Sequence, residues 1–416
     1  MSGYAAKITI DSSRFVDATG WALKGYDVRN EKEYILLEFD AEWKTMTASS
    51  VSSSYYFKNT TTLEDLEFYD VDAKNARDDQ ESFKLALDGK VLSKLVSGSI
   101  IPKNSTLTLT EMWGDNDYHY LELKAPGRKF KIDLLDNENP PKSPDISILG
   151  EVPVFEFVDA VKRLSRIADT AGATTVPALA ALDITVGSED EKLHIMSTDR
   201  YALSEITMPF TEDTEGGVDK ARYTPQGQDD VEVLIHAANA SLLTRDVPLE
   251  GHVQIGFDST DRVALQFADG RVACMNTVDS EAIPYSQFLT AERDEDFVIV
   301  DFRELENAIK ISNALSWDSD EQTIAFGQDN LTVSSAQNTS AINVSYDDDI
   351  ESNVREDITV SISNSVITKA FSAIGTKKVK VGWVSGNSYF TLKPILDSGE
   401  EQDEVFSLFV PVNRED

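Results

Sequence analysis

The residues whose types could support catalysis or metal binding are few and scattered. No two of the four histidines have the spacing of a metal-binding pair on one helix: His119, His194, His236 and His252. The single cysteine, Cys274, cannot form an internal disulfide or a cysteine-rich zinc module. Sequence motifs for a phosphate loop, a dinucleotide fold, a serine nucleophile elbow or H-E-x-x-H are absent. The sequence therefore predicts a protein without a catalytic site, metal or cofactor.

Basic side chains on short helical patterns form a second chemical feature, because they could contact phosphate groups. The clearest pattern spans residues 156–169, where Phe157, Val161 and Leu164 share one face. Judged by charge alone, a solvated helix face is the commoner arrangement. The basic residues on the outward faces of these helices are Lys90, Lys94, Lys162, Arg163, Arg166, Arg245, Arg303, Lys310, Lys369, Lys377 and Lys378.

The overall charge limits how such residues could be used. The chain has 38 Lys and Arg against 73 Asp and Glu, which gives a net charge of -35 over 416 residues. A generally basic nucleic-acid surface is excluded, because most of this protein would repel phosphates. Any DNA contact must use a locally basic, shielded surface. The 41% hydrophobic content is sufficient for packed cores.

The elements that must position these residues follow a repeated pattern. Alternating apolar and polar residues predict mainly antiparallel strands with few helices, an α+β fold. Segments that start near residues 82, 231 and 358 each predict strand, short helix, strand, turn, strand and strand. We therefore predict three copies of one domain, each with two β-α-β-β-β units. The predicted domains are 1–150, 151–292 and 293–416, separated by polar or acidic linkers.

Three segments carry a resemblance to a known family. They are VPALAAL with STDRYALS at 176–204, VDSEAIPYSQFLT at 278–290 and SLFVPVNRED at 407–416. In order, they resemble the P-x-L-x-G and A-T-D-x-[HFY]-R-L-A motifs, the V-D-G-x-F-P-D-Y motif and the V-x-M-P-M-R-L ending of the bacterial DNA polymerase III β subunit, the sliding clamp. The resemblance covers the chain from about residue 82 to the end, whereas residues 1–81 match only in outline.

The resemblance implies a fold and a function together. It implies a head-to-tail homodimer whose repeated domains form a ring, with helices lining the hole and antiparallel sheets outside. Such a protein is a DNA-replication processivity factor that encircles double-stranded DNA without reading its sequence and tethers the replicative DNA polymerase. It implies a clamp loader ATPase as a further partner and a cytoplasmic location. The N-terminus has no signal sequence and no apolar stretch is long enough for a membrane span, so we expect no membrane partner.

The resemblance also implies two sites. The basic helix residues named above would face DNA. An apolar groove between the middle and C-terminal domains would bind short partner peptides with Leu and Phe anchors. Its implied residues are Leu179, Thr198, Arg200, Tyr201, Leu203, Pro284, Phe288, Leu408, Val410, Pro411, Val412, Asn413 and Arg414. From periodicity alone, the leucines and Val410 would instead be ordinary strand core residues.

Departures from the family pattern fall within the implied groove. Ala202 stands where the family has arginine, and Asn413 and Arg414 stand where it has the final arginine and leucine. We therefore expect a partner peptide different from that of a typical bacterial clamp, as in a divergent, phage-encoded member. A second hypothesis is a non-catalytic β-rich structural or virion protein built on the same repeat, with no groove and no DNA retention. A carbohydrate-active enzyme is disfavoured, because no pair of acidic residues stands out.

Overall fold

The computed structural model describes most of the chain in two compact units. One unit comprises Met1–Glu151 with Glu250–Asn276, and the other comprises Val152–Leu249 with Thr277–Asp416. The residues described are 3–27, 33–68, 82–97, 100–113, 119–135, 143–170, 175–186, 192–211, 231–284, 296–316, 320–335, 341–383 and 389–410.

Strands greatly outnumber helices along the described residues. In chain order, the first group of elements is β1 (Gly3–Asp11), α1 (Ser12–Leu23), β2 (Tyr34–Asp40), β3 (Thr45–Val51), β4 (Tyr55–Thr62), β5 (Asp65–Phe68), β6 (Ser82–Leu87), α2 (Gly89–Ser97), β7 (Thr106–Trp113), β8 (His119–Ala125) and β9 (Arg128–Leu135). The second is β10 (Ile146–Pro153), α3 (Val154–Leu164), β11 (Ala181–Val186), β12 (Lys192–Thr198), β13 (Ala202–Pro209), β14 (Val231–His236), α4 (Ala237–Ala240), β15 (His252–Asp258), β16 (Val263–Phe267) and β17 (Val272–Met275). The third is β18 (Asp296–Asp301), α5 (Phe302–Ala314), β19 (Glu321–Phe326), β20 (Asn330–Ser335), β21 (Ile342–Ser345), β22 (Ile358–Ser363), α6 (Asn364–Phe371), β23 (Lys378–Trp383), β24 (Phe390–Ile395) and β25 (Val405–Phe409). Short 3-10 helices lie at Pro177–Ala180 and Ser241–Thr244.

This order repeats one motif throughout the described residues. A strand, a helix and three further strands recur six times, beginning at β1, β6, β10, β14, β18 and β22, with β5 as the one additional strand in these ranges. The predicted β-α-β-β-β repeat is therefore present, including in the first part of the chain, where the sequence pattern is weakest. The strand pairs are antiparallel, as alternation of apolar and polar residues predicts.

The first unit is built on a thirteen-stranded sheet with the order β10-β15-β16-β17-β4-β3-β2-β6-β9-β8-β7-β1-β5. Helix α1 begins after Asp11, whose side chain accepts hydrogen bonds from the backbone N–H groups of Ser13 and Arg14. The helix is tied to β17 by Trp21, whose Nε1 donates to the Val272 carbonyl at 3.0 Å. These bonds fix α1 against strands that lie far from it in sequence.

The second unit contains an eight-stranded sheet, with the order β14-β11-β12-β13-β25-β24-β23-β18, and a four-stranded sheet, β21-β20-β19-β22. Helices α3 and α6 pack against β13. Phe157, Val161 and Leu164 of α3 are buried, as the helical spacing predicts. In the sheet core, the rings of Phe390 and Phe409 stack with centroids 5.4 Å apart. Strands β12, β13 and β25 of the eight-stranded sheet carry several of the residues considered below.

The predicted fold class, a mainly antiparallel α+β fold with few helices, is confirmed. The three domain boundaries stay a prediction. The compact units follow a different division, because β15, β16 and β17 complete the sheet of the first unit whereas 152–249 belongs to the second. No helix within the described ranges has both the length and the apolar character needed to cross a membrane.

Candidate functional site

A tight turn between β12 and β13 forms one side of the candidate site. The Asp199 N–H donates to the Ala202 carbonyl at 3.1 Å, and Asp199 Oδ1 accepts from the N–H groups of Tyr201 and Ala202 at 3.0 and 2.8 Å. The Arg200 N–H donates to Thr198 Oγ1 at 3.2 Å. Because an aspartate side chain replaces several backbone partners, the turn has a fixed shape despite its short length.

The second oxygen of Asp199 anchors this turn to helix α6. Asp199 is only 7% exposed, and its Oδ2 accepts a hydrogen bond from Lys369 Nζ at 2.6 Å. A buried carboxylate is unfavourable unless it is paired and hydrogen-bonded, and Lys369 supplies that partner. Lys369 is one of the predicted DNA-facing residues, and here its ammonium group supports the turn.

Arg200 lies at the tip of this turn in an uncommon backbone conformation. Its φ angle is 86°, in the left-handed region that residues other than glycine rarely adopt. Its side chain is exposed, and Nη2 donates to Thr175 Oγ1 at 3.4 Å. The hydrogen bonds of the turn therefore hold the Arg200 backbone in a conformation that is unfavourable for arginine in a flexible chain.

The chain segment around β25 forms the neighbouring side. Strand β25 pairs with β13 so that Leu203 and Leu408 lie opposite each other. The Val410 N–H then donates to the Tyr201 carbonyl at 2.8 Å. Residues about 200 positions apart in sequence are thus brought together by one strand pair and one additional hydrogen bond.

Between these elements lies an apolar cavity of about 310 Å³. Its lining residues are Val176, Leu179, Thr198, Arg200, Ala202, Leu203, Ile283, Tyr389, Leu408 and Val410. Two of these lining residues, Leu203 and Leu408, form a buried cluster with Met196. An apolar cavity of this size with few polar groups is suited to a few large apolar side chains of a ligand.

Six of the predicted groove residues line this cavity: Leu179, Thr198, Arg200, Leu203, Leu408 and Val410. Tyr201 is adjacent in sequence but 57% exposed, and it is not part of the lining. Pro284 is exposed and also lies outside the lining. The remaining predicted residues are outside the described part of the chain: Phe288, Pro411, Val412, Asn413 and Arg414. The role of the groove in partner binding stays a prediction.

The cavity also contains residues that the sequence analysis did not select. Val176 and Ile283 lie within the segments that carry the resemblance, so both could have been chosen from those segments. Ala202 was noted only for the loss of an arginine, yet its small side chain forms part of the wall. Tyr389 immediately precedes β24, and no sequence pattern around it distinguishes it from other tyrosines at strand ends.

A group of polar side chains lies on β11, β12, β13 and β14 in the same unit. Asp183 is fully buried, and burial together with the nearby Glu232 carboxyl raises the pKa of Asp183 to about 7. Thr185 Oγ1 donates to Asp183 Oδ1 at 3.2 Å. On the adjoining strands, His194 Nδ1 and Glu205 Oε1 are 2.7 Å apart. None of these groups lines the cavity, so they bear on stability rather than on ligand contact.

The predicted DNA-facing residues differ in how they are held. Eight are exposed: Lys90, Lys94, Lys162, Arg166, Arg245, Arg303, Lys310 and Lys377. Lys310 also pairs with Glu306 on the same helix at 2.7 Å, a contact that solvent weakens. Arg163 instead donates to the Ala373 carbonyl at 3.2 Å, and Lys378 pairs with Asp347 at 2.7 Å. The DNA-facing assignment of all eleven stays a prediction.

Within the part of the chain that the structure describes, no group of three or more His, Cys, Asp or Glu side chains could hold a metal ion. Burial raises the pKa of Cys274 to about 12, so this thiol is not a reactive nucleophile at neutral pH.

Comparison with solved structures identifies proteins of the same fold. The structure is similar to a DNA polymerase sliding clamp from Bacillus subtilis, with a TM-score of 0.76 and 14% identity over 99% of this chain and 100% of the other. A DnaN sliding clamp, the DNA polymerase III subunit β of Pseudomonas aeruginosa, gives a TM-score of 0.75 and 14% identity over 99% and 100%. A Helicobacter pylori β clamp bound to a DNA ligase peptide gives 0.71 and 17% over 98% and 100%.

Similarity at this level of identity establishes the fold. The chain has the fold of the bacterial DNA polymerase III β sliding clamps over its whole length, as the sequence resemblance implies. No family model and no curated protein matches the sequence itself. A shared fold does not by itself fix function, which must be argued from the site.

Proposed function

We propose that this protein is a sliding clamp, a processivity factor that encircles double-stranded DNA and tethers a replicative DNA polymerase. The observation that carries the proposal is the fold similarity to DNA polymerase sliding clamps over 98–99% of this chain and the whole of theirs. The protein acts as a head-to-tail homodimer that a clamp loader ATPase opens, and it has no catalytic site of its own. The low identity is consistent with a divergent member of that family.

Encirclement resolves the conflict between a DNA-binding role and a net charge of -35. A protein that binds DNA through its surface must neutralise phosphates with many basic residues, and this chain lacks that excess. A closed ring is retained because it cannot leave a circular duplex, so weak contacts from a few basic helix residues are sufficient. Weak contacts to the phosphate backbone also carry no sequence information, which permits sliding.

Tethering provides the biochemical effect without any catalysis. A polymerase that is bound to a ring on the template rebinds its primer end intramolecularly, at an effective concentration set by the tether. The apolar cavity of the second unit is the proposed attachment point for such partners. Its aliphatic walls suit a short peptide with Leu and Phe anchors, and the Helicobacter pylori clamp of the same fold binds a DNA ligase peptide.

The proposal is tested by retention on DNA of different topology. The protein is incubated with nicked circular plasmid and a clamp loader, and then washed at about 1 M salt, where a Debye length of about 3 Å screens contacts at the surface. We expect protein to remain on the circle and to be released when a restriction enzyme linearises it. Plasmid that is linearised beforehand is the control.

Equal retention on circular and linear DNA would show surface binding rather than encirclement. Complete loss from the circle at high salt, with normal binding at low salt, would contradict the proposal in the same way.

A further inference from the structure

Among the described residues, the cavity of the second unit has one charged lining residue. Nine of the ten described lining residues are apolar or uncharged, and the tenth is Arg200. In a mainly apolar cavity, a single charged group has a disproportionate effect on which ligands bind, because the apolar walls contribute area but little chemical selectivity. The chemistry that Arg200 recognises is therefore informative about the ligand.

The position of Arg200 is fixed by the turn rather than by its own side chain. Its φ angle of 86° is maintained by the hydrogen bond from its N–H to Thr198 Oγ1 and by the bonds of Asp199 to Tyr201 and Ala202. Backbone strain of this kind persists only when surrounding contacts enforce it, and it is concentrated at functional sites. The turn thus presents an arginine at the edge of the cavity at some cost in conformational energy.

Toward the described residues, the Arg200 guanidinium uses little of its hydrogen-bonding capacity. Its side-chain hydrogen bond within these ranges is the 3.4 Å contact from Nη2 to the neutral hydroxyl of Thr175. A guanidinium has five N–H donors in a planar arrangement that matches a carboxylate in a bidentate geometry. Lys369, the nearby cation, is already bonded to the buried Asp199 and is not part of the cavity lining.

We infer that Arg200 is a specificity-determining residue that selects peptides in which one carboxylate accompanies the apolar anchors. The inference rests on the proposed function, because it assumes that the cavity binds partner peptides. The carboxylate comes either from an Asp or Glu side chain or from the C-terminus of the partner. The net charge of -35 makes most of the protein repel acidic ligands. At the cavity, the positive charge of Arg200 must offset this repulsion of the ligand carboxylate.

The test measures the affinity of fluorescein-labelled synthetic peptides by fluorescence anisotropy. All peptides carry the same Leu and Phe anchors. The first series has an amidated C-terminus and a single Asp scanned through each non-anchor position, the second replaces that Asp by Asn, and the third has a free C-terminal carboxylate and no Asp. The Asp and free-acid series distinguish the two sources of the carboxylate.

We expect at least one carboxylate peptide to bind about two- to fivefold more tightly than its neutral counterpart, the range of a solvent-accessible ion pair. The preference should shrink as salt is raised, because salt screens the pair. In Arg200→Gln, the carboxylate peptide should bind no better than the neutral one. Arg200→Lys should keep part of the preference, because lysine retains the charge and loses the bidentate geometry.

Arg14→Gln is the matched control. Arg14 is also exposed and also donates to a threonine hydroxyl, that of Thr62 at 2.7 Å, but it lies in the other unit. This variant should keep the carboxylate preference of the wild type.

Three results would overturn the inference, and they have different meanings. If neutral and carboxylate peptides bind the wild type equally, the cavity binds peptides and the proposed function stands, but Arg200 does not select a carboxylate. If Arg200→Gln still binds the carboxylate peptide more tightly than the neutral one, a residue other than Arg200 selects the carboxylate. If no peptide of any series binds, the cavity is not a peptide site and the inference fails together with that part of the proposed function.

Discussion

At the scale of single residues, the cavity depends on a few apolar side chains. Val410 is partly buried, and its backbone N–H bonds to the Tyr201 carbonyl independently of its side chain. Leu203 and Leu408 are more deeply buried, at 4% and 5% exposed, so changes at either would also disturb the sheet. Val410 is therefore the better residue for separating ligand binding from folding.

Replacing Val410 with Asp should weaken the binding of a peptide with apolar anchors by at least about tenfold. The bound peptide would remove water from the new carboxylate without supplying a polar partner. The backbone hydrogen bond should persist, so the thermal midpoint should change little. Anisotropy titration and thermal denaturation measure the two effects, with Val410→Ala as the milder control. Unchanged peptide affinity in Val410→Asp would remove this residue from the proposed site.

Asp183 is expected to make stability depend on pH. Burial and the neighbouring Glu232 raise its folded-state pKa to about 7, from 3.8 for an unperturbed aspartate. The folded state therefore binds this proton more tightly than the unfolded state does. The resulting stabilisation is complete below about pH 4 and is lost as the pH rises through about 7. At higher pH, Asp183 no longer changes the free energy of unfolding with pH.

The isosteric variant Asp183→Asn tests this expectation, because an amide does not titrate in this range. Urea denaturation between pH 4 and pH 8 should show the free energy of unfolding of the wild type falling more steeply with pH than that of the variant. Asp258 and Glu401 have lowered pKa values, so they act at lower pH in both proteins. Identical pH profiles would show that folding does not raise the pKa of Asp183.

At the scale of elements, helix α6 and the β12–β13 turn are joined by one ion pair. Lys369 Nζ and Asp199 Oδ2 are 2.6 Å apart, and the Asp199 side chain is 6% exposed. Removing the lysine leaves a buried carboxylate without its cation, which is more destabilising than removing both charges.

Lys369→Met should therefore lower the free energy of unfolding by about 3 kcal/mol, the lower end for a broken buried pair because the Lys369 side chain is 30% exposed. It should also weaken peptide binding, because Asp199 orders the turn that carries Arg200. The double variant Lys369→Met with Asp199→Asn should lose less than the sum of the single changes. Urea denaturation and anisotropy provide the two measurements. Additive losses would show that the pair contributes no coupling.

Elements with a regular apolar period could be predicted from the sequence, and contacts between distant segments could not. The spacing of Phe157, Val161 and Leu164 predicts the buried face of α3 correctly. Helix α1 has a similar buried face and an Asp11 cap, yet its glycine and polar residues weaken the pattern. Strand pairing such as β13 with β25 joins residues about 200 positions apart, which periodicity does not encode.

The candidate site shows the same limit. The resemblance selected Leu179, Leu203 and Val410, which the structure places in one cavity. It could not indicate that Arg163, on the polar face of α3, donates to the carbonyl of Ala373. That contact requires the nearby Gly375, where a Cβ atom would collide with the guanidinium. Side-chain partners of this kind depend on the packing of the loop after α6 and have no sequence pattern.

At the scale of the whole molecule, the proposed DNA contacts must be local exceptions to a strongly acidic surface. Lys162 and Arg166 are exposed, whereas Arg163 between them is engaged by the protein itself. Lys162 and Arg166 therefore test DNA contact with less risk to folding than a variant that also changes Arg163.

The double variant Lys162→Glu and Arg166→Glu should weaken low-salt association with duplex DNA and reduce the slope of log affinity against log salt by about two. Filter binding at several salt concentrations measures both. The control reverses two exposed lysines outside the predicted set, Lys44 and Lys103. If the two double variants behave alike, neither Lys162 on α3 nor Arg166 just after the helix contacts DNA.

The most direct test of the central claim is whether the protein forms a ring. Negative-stain imaging at micromolar concentration, combined with a solution mass measurement, should show a two-subunit ring of about 92 kDa, twice the 46.0 kDa of one chain, with a central opening. A 46.0 kDa monomer without an opening at every concentration would contradict the account, because the proposed encirclement of DNA requires two subunits and a central opening.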